Sequence, residues 1–177
     1  MPYHSVFVWI TCWLLVGLAC QVPNSLSKVQ QQATSQAQVF IFLDTDCPIS
    51  RQMCLYIRQL AARYDAHLVA IQLVFQHRAS RAQIRDFLST FDLPLPYTVN
   101  SRYTLSRQMG ASITPEALLY DAQQILRYRG AINDLYSEIG VKRPEPSYFF
   151  LQANIDSLLL DKTLPYKAQK AIGCLIE

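Results

Sequence analysis

Five cysteines stand along the 177 residues, at positions 12, 20, 47, 54 and 174, and their surroundings differ. Cys47 lies between the apolar run Val39-Phe40-Ile41-Phe42-Leu43 and a segment of helical spacing that opens with Pro48. A thiol at a helix N-terminus meets unsatisfied N–H groups and the positive end of the helix dipole, which favours the thiolate. The thiolate is the nucleophile, so this position suits disulfide exchange or peroxide reduction. Asp46, Pro48 and Ser50 describe a polar loop-to-helix edge, although an inward-turned Asp46 would raise the thiol pKa. The alternative is an inert cysteine packed below a sheet.

The local motif is Cys47-Pro48-Ile49-Ser50. Ser50 stands where a dithiol oxidoreductase has its second cysteine, so a two-cysteine cycle at that spacing is excluded. Cys54 does not replace it: seven helical residues rise roughly 10 Å, whereas a disulfide wants Cα atoms within about 7 Å. Cys54 sits at the edge of an apolar face, where a packing role is ordinary. Cys174 follows Gly173 in a tail long enough to fold back. A Cys47–Cys174 pair with a buried Cys54 would account for the cysteines of an exported domain, the alternative being a Cys174 that packs or pairs between molecules. Ile113-Thr114-Pro115 directly precedes a strand, and Pro115 by itself reads as an ordinary strand-initiating proline.

The elements that position these residues read as an alternating α/β series. Val39–Leu43 is a short, continuously apolar strand, as expected where both faces are covered. Ile49, Met53, Ile57, Leu60 and Tyr64 then recur on one helical face. A second strand is expected over His67–Phe75, and a helix capped by Ser80 carries Ile84, Phe87, Leu88 and Phe91 inward. After Pro94 and Pro96 come a brief strand at Tyr97–Val99, a short helix over Ser101–Met109 stopped by Gly110, and a hairpin of Glu116–Tyr120 and Ile125–Tyr128. The last helix is expected over Ser147–Leu160, with Tyr148, Leu151, Ile155, Leu158 and Leu159 on one face. Such an order demands a largely parallel sheet finished by an antiparallel hairpin: a thioredoxin-like α/β fold, its central mixed β-sheet flanked by helices.

Residues 1–19 read as a lipoprotein-like signal peptide. Val6–Cys20 is an uncharged apolar run of 15 residues, in the range of a signal h-region and short of the about 20 that span a bilayer. It ends Gly17-Leu18-Ala19-Cys20, so Cys20 is the candidate lipidated residue. Residues 20–37, rich in Gln and Ser and without aromatics, read as a flexible tether, and residues 38–177 as one domain large enough for its own core. The expected location is therefore the cell envelope, periplasm or outer surface, on a bacterial membrane through a lipid anchor. The net charge of +3 comes from scattered basic residues, which excludes nucleic acid as an expected partner.

Four pieces resemble, in order, the redoxin branch of the thioredoxin superfamily, the group around alkyl hydroperoxide reductase and thiol-specific antioxidant proteins. They are FLDTDCPIS at Phe42–Ser50, ITPEALLYD at Ile113–Asp121, YRGAIND at Tyr128–Asp134 and GCLI at Gly173–Ile176. They look like an exported subgroup with a lone active-site cysteine and a C-terminal Gly-Cys. The resemblance implies a thioredoxin-like fold, Cys47 as reactive thiol and Pro115 as a cis-proline after Thr114, packed against that thiol. Peroxiredoxins carry Thr three residues before the peroxidatic cysteine and Pro four before that; here Thr45 is two before and Phe40 holds the other place, so the peroxide-orienting arrangement is not evident.

The leading expectation is a thiol–disulfide oxidoreductase with Cys47 as nucleophile, Pro48, Ser50, Thr114 and Pro115 around it, and Cys174 or an external thiol resolving the mixed disulfide. Its partners would be a protein disulfide or a peroxide and an external thiol reductant; no cofactor or resident metal is expected. A thiol peroxidase passing through a sulfenic acid is the alternative enzyme. Two further readings are a soft-metal carrier using Cys47, Cys174, Met53 and His77, and a non-catalytic binding module presenting Tyr56, Tyr64, Tyr128 or Tyr148.

Overall fold

The computed structural model describes residues 36–176; the segment expected to be a signal peptide, Cys20 and nearly all of the expected tether lie outside them. Strand β1 (Ala37–Leu43) starts on the last residue assigned to the tether, and six of its seven residues are buried. Helix α1 (Pro48–Arg63) buries Ile49, Met53, Cys54, Ile57 and Leu60 and ends where the Tyr64 N–H returns to the Leu60 carbonyl. Strand β2 (Val69–Gln76) runs parallel to β1, with Val39 opposite Ile71 and Ile41 opposite Leu73. Its expected start at His67 is instead a turn, in which the His67 N–H donates to Asp65. Helix α2 (Arg81–Thr90) opens with a reciprocal cap between Ser80 and Gln83, two orphan N–H groups satisfied at once.

Strand β3 (Tyr97–Asn100) is parallel to β2. The helix expected over Ser101–Met109 is broken, because Arg102 and Tyr103 take left-handed backbone angles. A single 3₁₀ turn precedes helix α3 (Thr104–Met109), which stops at Gly110 with φ +72°. Strands β4 (Ile113–Thr114) and β5 (Glu116–Tyr120) flank Pro115, and β5 pairs antiparallel with β1 and with β6 (Leu126–Gly130).

The C-terminal third differs more from expectation. Strands β7 (Tyr136–Glu138) and β8 (Val141–Lys142) form a small hairpin. Helix α4 (Phe150–Leu159) begins three residues after Ser147, because the Ser147 and Tyr148 N–H groups both donate to Asp134 Oδ1 in a turn. Tyr148, left outside the helix, is exposed, as is Leu159 at the helix's last position, whereas Leu151 and Ile155 are buried. The tail, read from the sequence only as long enough to fold back, supplies β9 (Ala168–Gln169) and β10 (Cys174–Leu175).

Among the described residues the main sheet has the order β3-β2-β1-β5-β6-β9, and β10 pairs separately with β4. Alternation along β1 divides the core. Val39, Ile41 and Leu43 join α1, α2 and α4 residues such as Ile57, Ile84 and Ile155 on one face. Phe40 and Phe42 meet Leu105 and Met109 of α3 on the other, with Ile176 of the tail. Both faces of β1 are therefore covered, and its C-terminal end delivers the chain to Cys47.

Candidate active site

The turn after β1 is built by its own carboxylate. Asp44 Oδ1 accepts from the Asp46 N–H at 2.9 Å, and the Asp44 carbonyl accepts from the Cys47 N–H at 3.2 Å. Cys47 becomes the N-cap of α1, with extended backbone, and its carbonyl accepts the first helical bond, from Arg51 N–H. Pro48 takes the first turn, where a missing N–H costs nothing, and is itself exposed. It starts the helix that Cys47 caps. Ser50 is fully buried one turn on, and its hydroxyl accepts from the Asp44 N–H at 3.3 Å.

The opposite wall comes from β4 and the tail. The Thr114–Pro115 peptide is cis, as the resemblance implies, and the Thr114 carbonyl accepts from the Cys47 S–H at 3.2 Å. Glu116 fixes this loop by accepting from the Ser112 N–H at 2.8 Å. On β10, Cys174 lies opposite Thr114, Thr114 Oγ1 donates to the Cys174 carbonyl at 3.3 Å, and the Ile176 N–H donates to Ser112. This brings Cys174 Sγ to 2.6 Å from Cys47 Sγ, across 127 positions of sequence.

The two thiols are driven apart in acidity. Burial opposes ionisation of Cys47, which is only 2% exposed. Hydrogen bonds from the Cys174 thiol, from the N–H and hydroxyl of Ser50, and from the Cys174 backbone outweigh that penalty and lower its pKa. Cys174 is pushed up to about 12, first by burial, then by its bond to Cys47, the Cys47 charge and the Asp44 charge. The pair thus ionises in two steps, the first negative charge resting on Cys47.

Of the residues singled out in the sequence, Cys47, Ser50, Thr114, Pro115 and Cys174 converge here. Cys54 packs at 0% exposure, donates to the Ser50 carbonyl, and is raised to about 12 by burial. Asp46 faces solvent, and the carboxylate that acts on Cys174 is Asp44, two residues earlier in the FLDTDCPIS piece. His77 is exposed and meets the Tyr103 ring edge-on at 4.4 Å. Among the described residues no group of three or more His, Cys, Asp or Glu is placed to hold a metal ion. Tyr128 is buried with its hydroxyl donating to Ala131, and Tyr64 donates to Asp156. Tyr136, to which the sequence assigned no part, is raised by burial and by the Cys47 charge, which places it at this site.

The chain is similar to several solved structures. A hypothetical protein from Sinorhizobium meliloti 1021 superposes with TM-score 0.74 at 20% identity, over 84% of this chain and 82% of that one. An uncharacterized conserved protein from Geobacillus kaustophilus gives 0.73 at 22%, over 84% and 80%. A thioredoxin-like protein in its oxidized form gives 0.59 at 13%, over 75% and 84%. The fold is thioredoxin-like. No protein-family model matches the sequence, and no curated protein matches it significantly. At these identities the likeness concerns the fold, and the chemistry has to be argued from the site.

Proposed function

We propose that the protein is an exported thiol–disulfide oxidoreductase of the redoxin branch, held at a membrane through lipid on Cys20, with Cys47 as nucleophile and Cys174 as its resolving thiol. The observation that carries this reading is the 2.6 Å approach of two cysteine sulfurs whose acidities are shifted in opposite directions. In the reductive direction the Cys47 thiolate attacks one sulfur of a substrate disulfide. The substrate S–S bond breaks, a Cys47–substrate disulfide forms, and the departing thiolate takes a proton. Cys47 then no longer carries charge, so the bond to it and its charge cease to hold Cys174 up, leaving burial and Asp44. Cys174 loses its proton and attacks Cys47 Sγ, releasing the second substrate thiol and leaving a Cys47–Cys174 disulfide. Two electrons have passed to the substrate, and an external dithiol returns them to the enzyme.

The test is mass-spectrometric thiol mapping of the purified chain, reduced and oxidised, with alkylation rates followed against pH. A depressed Cys47 pKa and a Cys47–Cys174 crosslink support the reading. Slow alkylation at an unshifted pKa, with no crosslink, would leave a binding module. Consumption of peroxide in preference to disulfides would turn the assignment to a thiol peroxidase.

A further inference from the structure

The two sulfurs that face each other are not equally open to a third. Cys47 is 2% exposed, with the Thr114 carbonyl on its S–H and the Cys174 sulfur at 2.6 Å. Cys174 is only half-buried, and the side chain that follows it, Leu175, is exposed.

The tail that carries Cys174 is held in different ways before and after oxidation. In the reduced chain β10 is a two-residue strand, tied by hydrogen bonds to Thr114 and Ser112 and by the packing of Ile176. A segment with so few ties opens locally at small cost, which gives a substrate disulfide its access to Cys47. Oxidation adds a covalent tie. A disulfide needs its sulfurs about 2.05 Å apart, so from 2.6 Å the bond forms with the tail in place. It then pins β10 against Cys47, which stays shielded, while Cys174 keeps its open side.

We propose that the external dithiol recharges the oxidised enzyme through Cys174: its thiolate attacks Cys174 Sγ, and Cys47 is the sulfur that departs. The inference rests on the reading above, in which each turnover ends in a Cys47–Cys174 disulfide, and it gives the two half-reactions different entry sulfurs. In the first step a reductant–Cys174 bond forms, the Cys47–Cys174 bond breaks, and its electron pair stays on Cys47 as thiolate. The reductant's second thiolate then attacks the reductant sulfur bonded to Cys174, closing the reductant's own disulfide. Cys174 departs and takes a proton. Two electrons have entered the enzyme, and Cys47 is again the charged member of the pair.

Thiol–disulfide exchange is faster at the more accessible sulfur and with the more acidic leaving thiol. Both criteria select the same direction here. The Ser50 N–H and hydroxyl support negative charge on Cys47, whereas burial and the Asp44 charge oppose it on Cys174. Asp44 would also repel an incoming thiolate, but Arg78 stands 3.8 Å from its carboxylate and offsets that charge. Attack at Cys47 would have to pass the pinned tail and expel the sulfur less able to carry charge.

The experiment treats the oxidised full chain with mercaptoethanol, a neutral monothiol that marks the sulfur it attacks. The reaction is quenched with acid early in the first turnover, the freed cysteine is blocked with a maleimide, and both labels are located by peptide mass. Mercaptoethanol should be found on Cys174 and maleimide on Cys47, at least about tenfold over the reverse pattern. In Ser50→Ala, where the departing Cys47 thiolate loses a donor, the initial rate should fall roughly threefold. Mercaptoethanol mainly on Cys47, an even split, or an unchanged rate in folded Ser50→Ala overturns the proposal. The wild-type map decides the matter if that variant does not fold. A chain that forms no Cys47–Cys174 crosslink on oxidation overturns the disulfide cycle and this inference together. A crosslink that mercaptoethanol opens at Cys47 overturns the inference alone.

Discussion

Gly173 lies so close against the Thr114 peptide that a β-carbon at residue 173 would collide with the Thr114 carbonyl. That carbonyl also accepts the Cys47 S–H, and the Thr114 hydroxyl donates to the Cys174 carbonyl. Thr114 is therefore the shared support of both sulfurs, and the approach of β10 depends on a residue without a side chain. Gly173→Ala should lift the tail from β4. Overpacking of this kind typically costs 1–3 kcal/mol, and about 1.4 kcal/mol is a factor of ten. Formation of the Cys47–Cys174 crosslink under mild oxidation, timed by quenched alkylation and mass, should slow about tenfold or more. An unchanged rate in the folded variant would show that the tail does not need this contact.

The direction of the Cys47 shift sets a pH profile. An ordinary thiol becomes half thiolate near 8.5, and a depressed pKa moves the rise in alkylation to lower pH. The Cys174 thiol is the first-ranked donor holding that pKa down against burial. Cys174→Ala should therefore move the Cys47 midpoint upward, by roughly half to one unit, and slow alkylation at pH 7. A midpoint that stays put or falls would mean that the sulfur–sulfur contact does not govern the acidity. The same variant should accumulate the Cys47–substrate mixed disulfide, visible as an added mass.

The strands and the position of Cys47 were legible because they follow from local pattern. A continuous apolar run marks a strand covered on both faces, and Pro48 after a turn marks a helix start. What stayed illegible was set by tertiary contacts. Helix α4 begins at Phe150 rather than Ser147 because Asp134, 13 positions earlier, draws two N–H groups into a turn. The break at Arg102 and Tyr103 accompanies a buried side-chain network in which Asn100 binds Gln76 and Ser106. Within the site, Asp44 stands in the FLDTDCPIS piece three residues before Cys47, but its reach to Cys174 depends on β10 folding back to β4. The tail carried one usable sign, a glycine directly before Cys174. Nothing in the spacing of Tyr136 distinguishes it from other loop residues.

Ser50 has a consequence for both stability and reactivity. Its hydroxyl accepts from the buried Asp44 N–H and supports the Cys47 thiolate. Ser50→Ala removes both, leaving a donor unpaired at a cost of about 1–3 kcal/mol. Chemical denaturation should show a lower midpoint with an unchanged slope. The Cys47 alkylation profile should shift to higher pH in the same variant. Loss of stability without a shift in acidity would confine Ser50 to holding the turn.

Asp44 separates the two sulfurs by charge. Its carboxylate raises the pKa of Cys174 and is not among the influences on Cys47. Asp44→Asn keeps an Oδ1 for the Asp46 N–H, so the turn should survive, while the negative charge is lost. Without that charge the Cys174 thiolate forms at lower pH. Resolution of a preformed Cys47–substrate disulfide, followed by stopped-flow release of a chromogenic thiol at fixed pH, should then accelerate by a few-fold. The sign is what decides between roles. Slower resolution in Asp44→Asn would mean that the carboxylate removes the Cys174 proton in the reaction, an effect larger than its electrostatic penalty on the resting thiol.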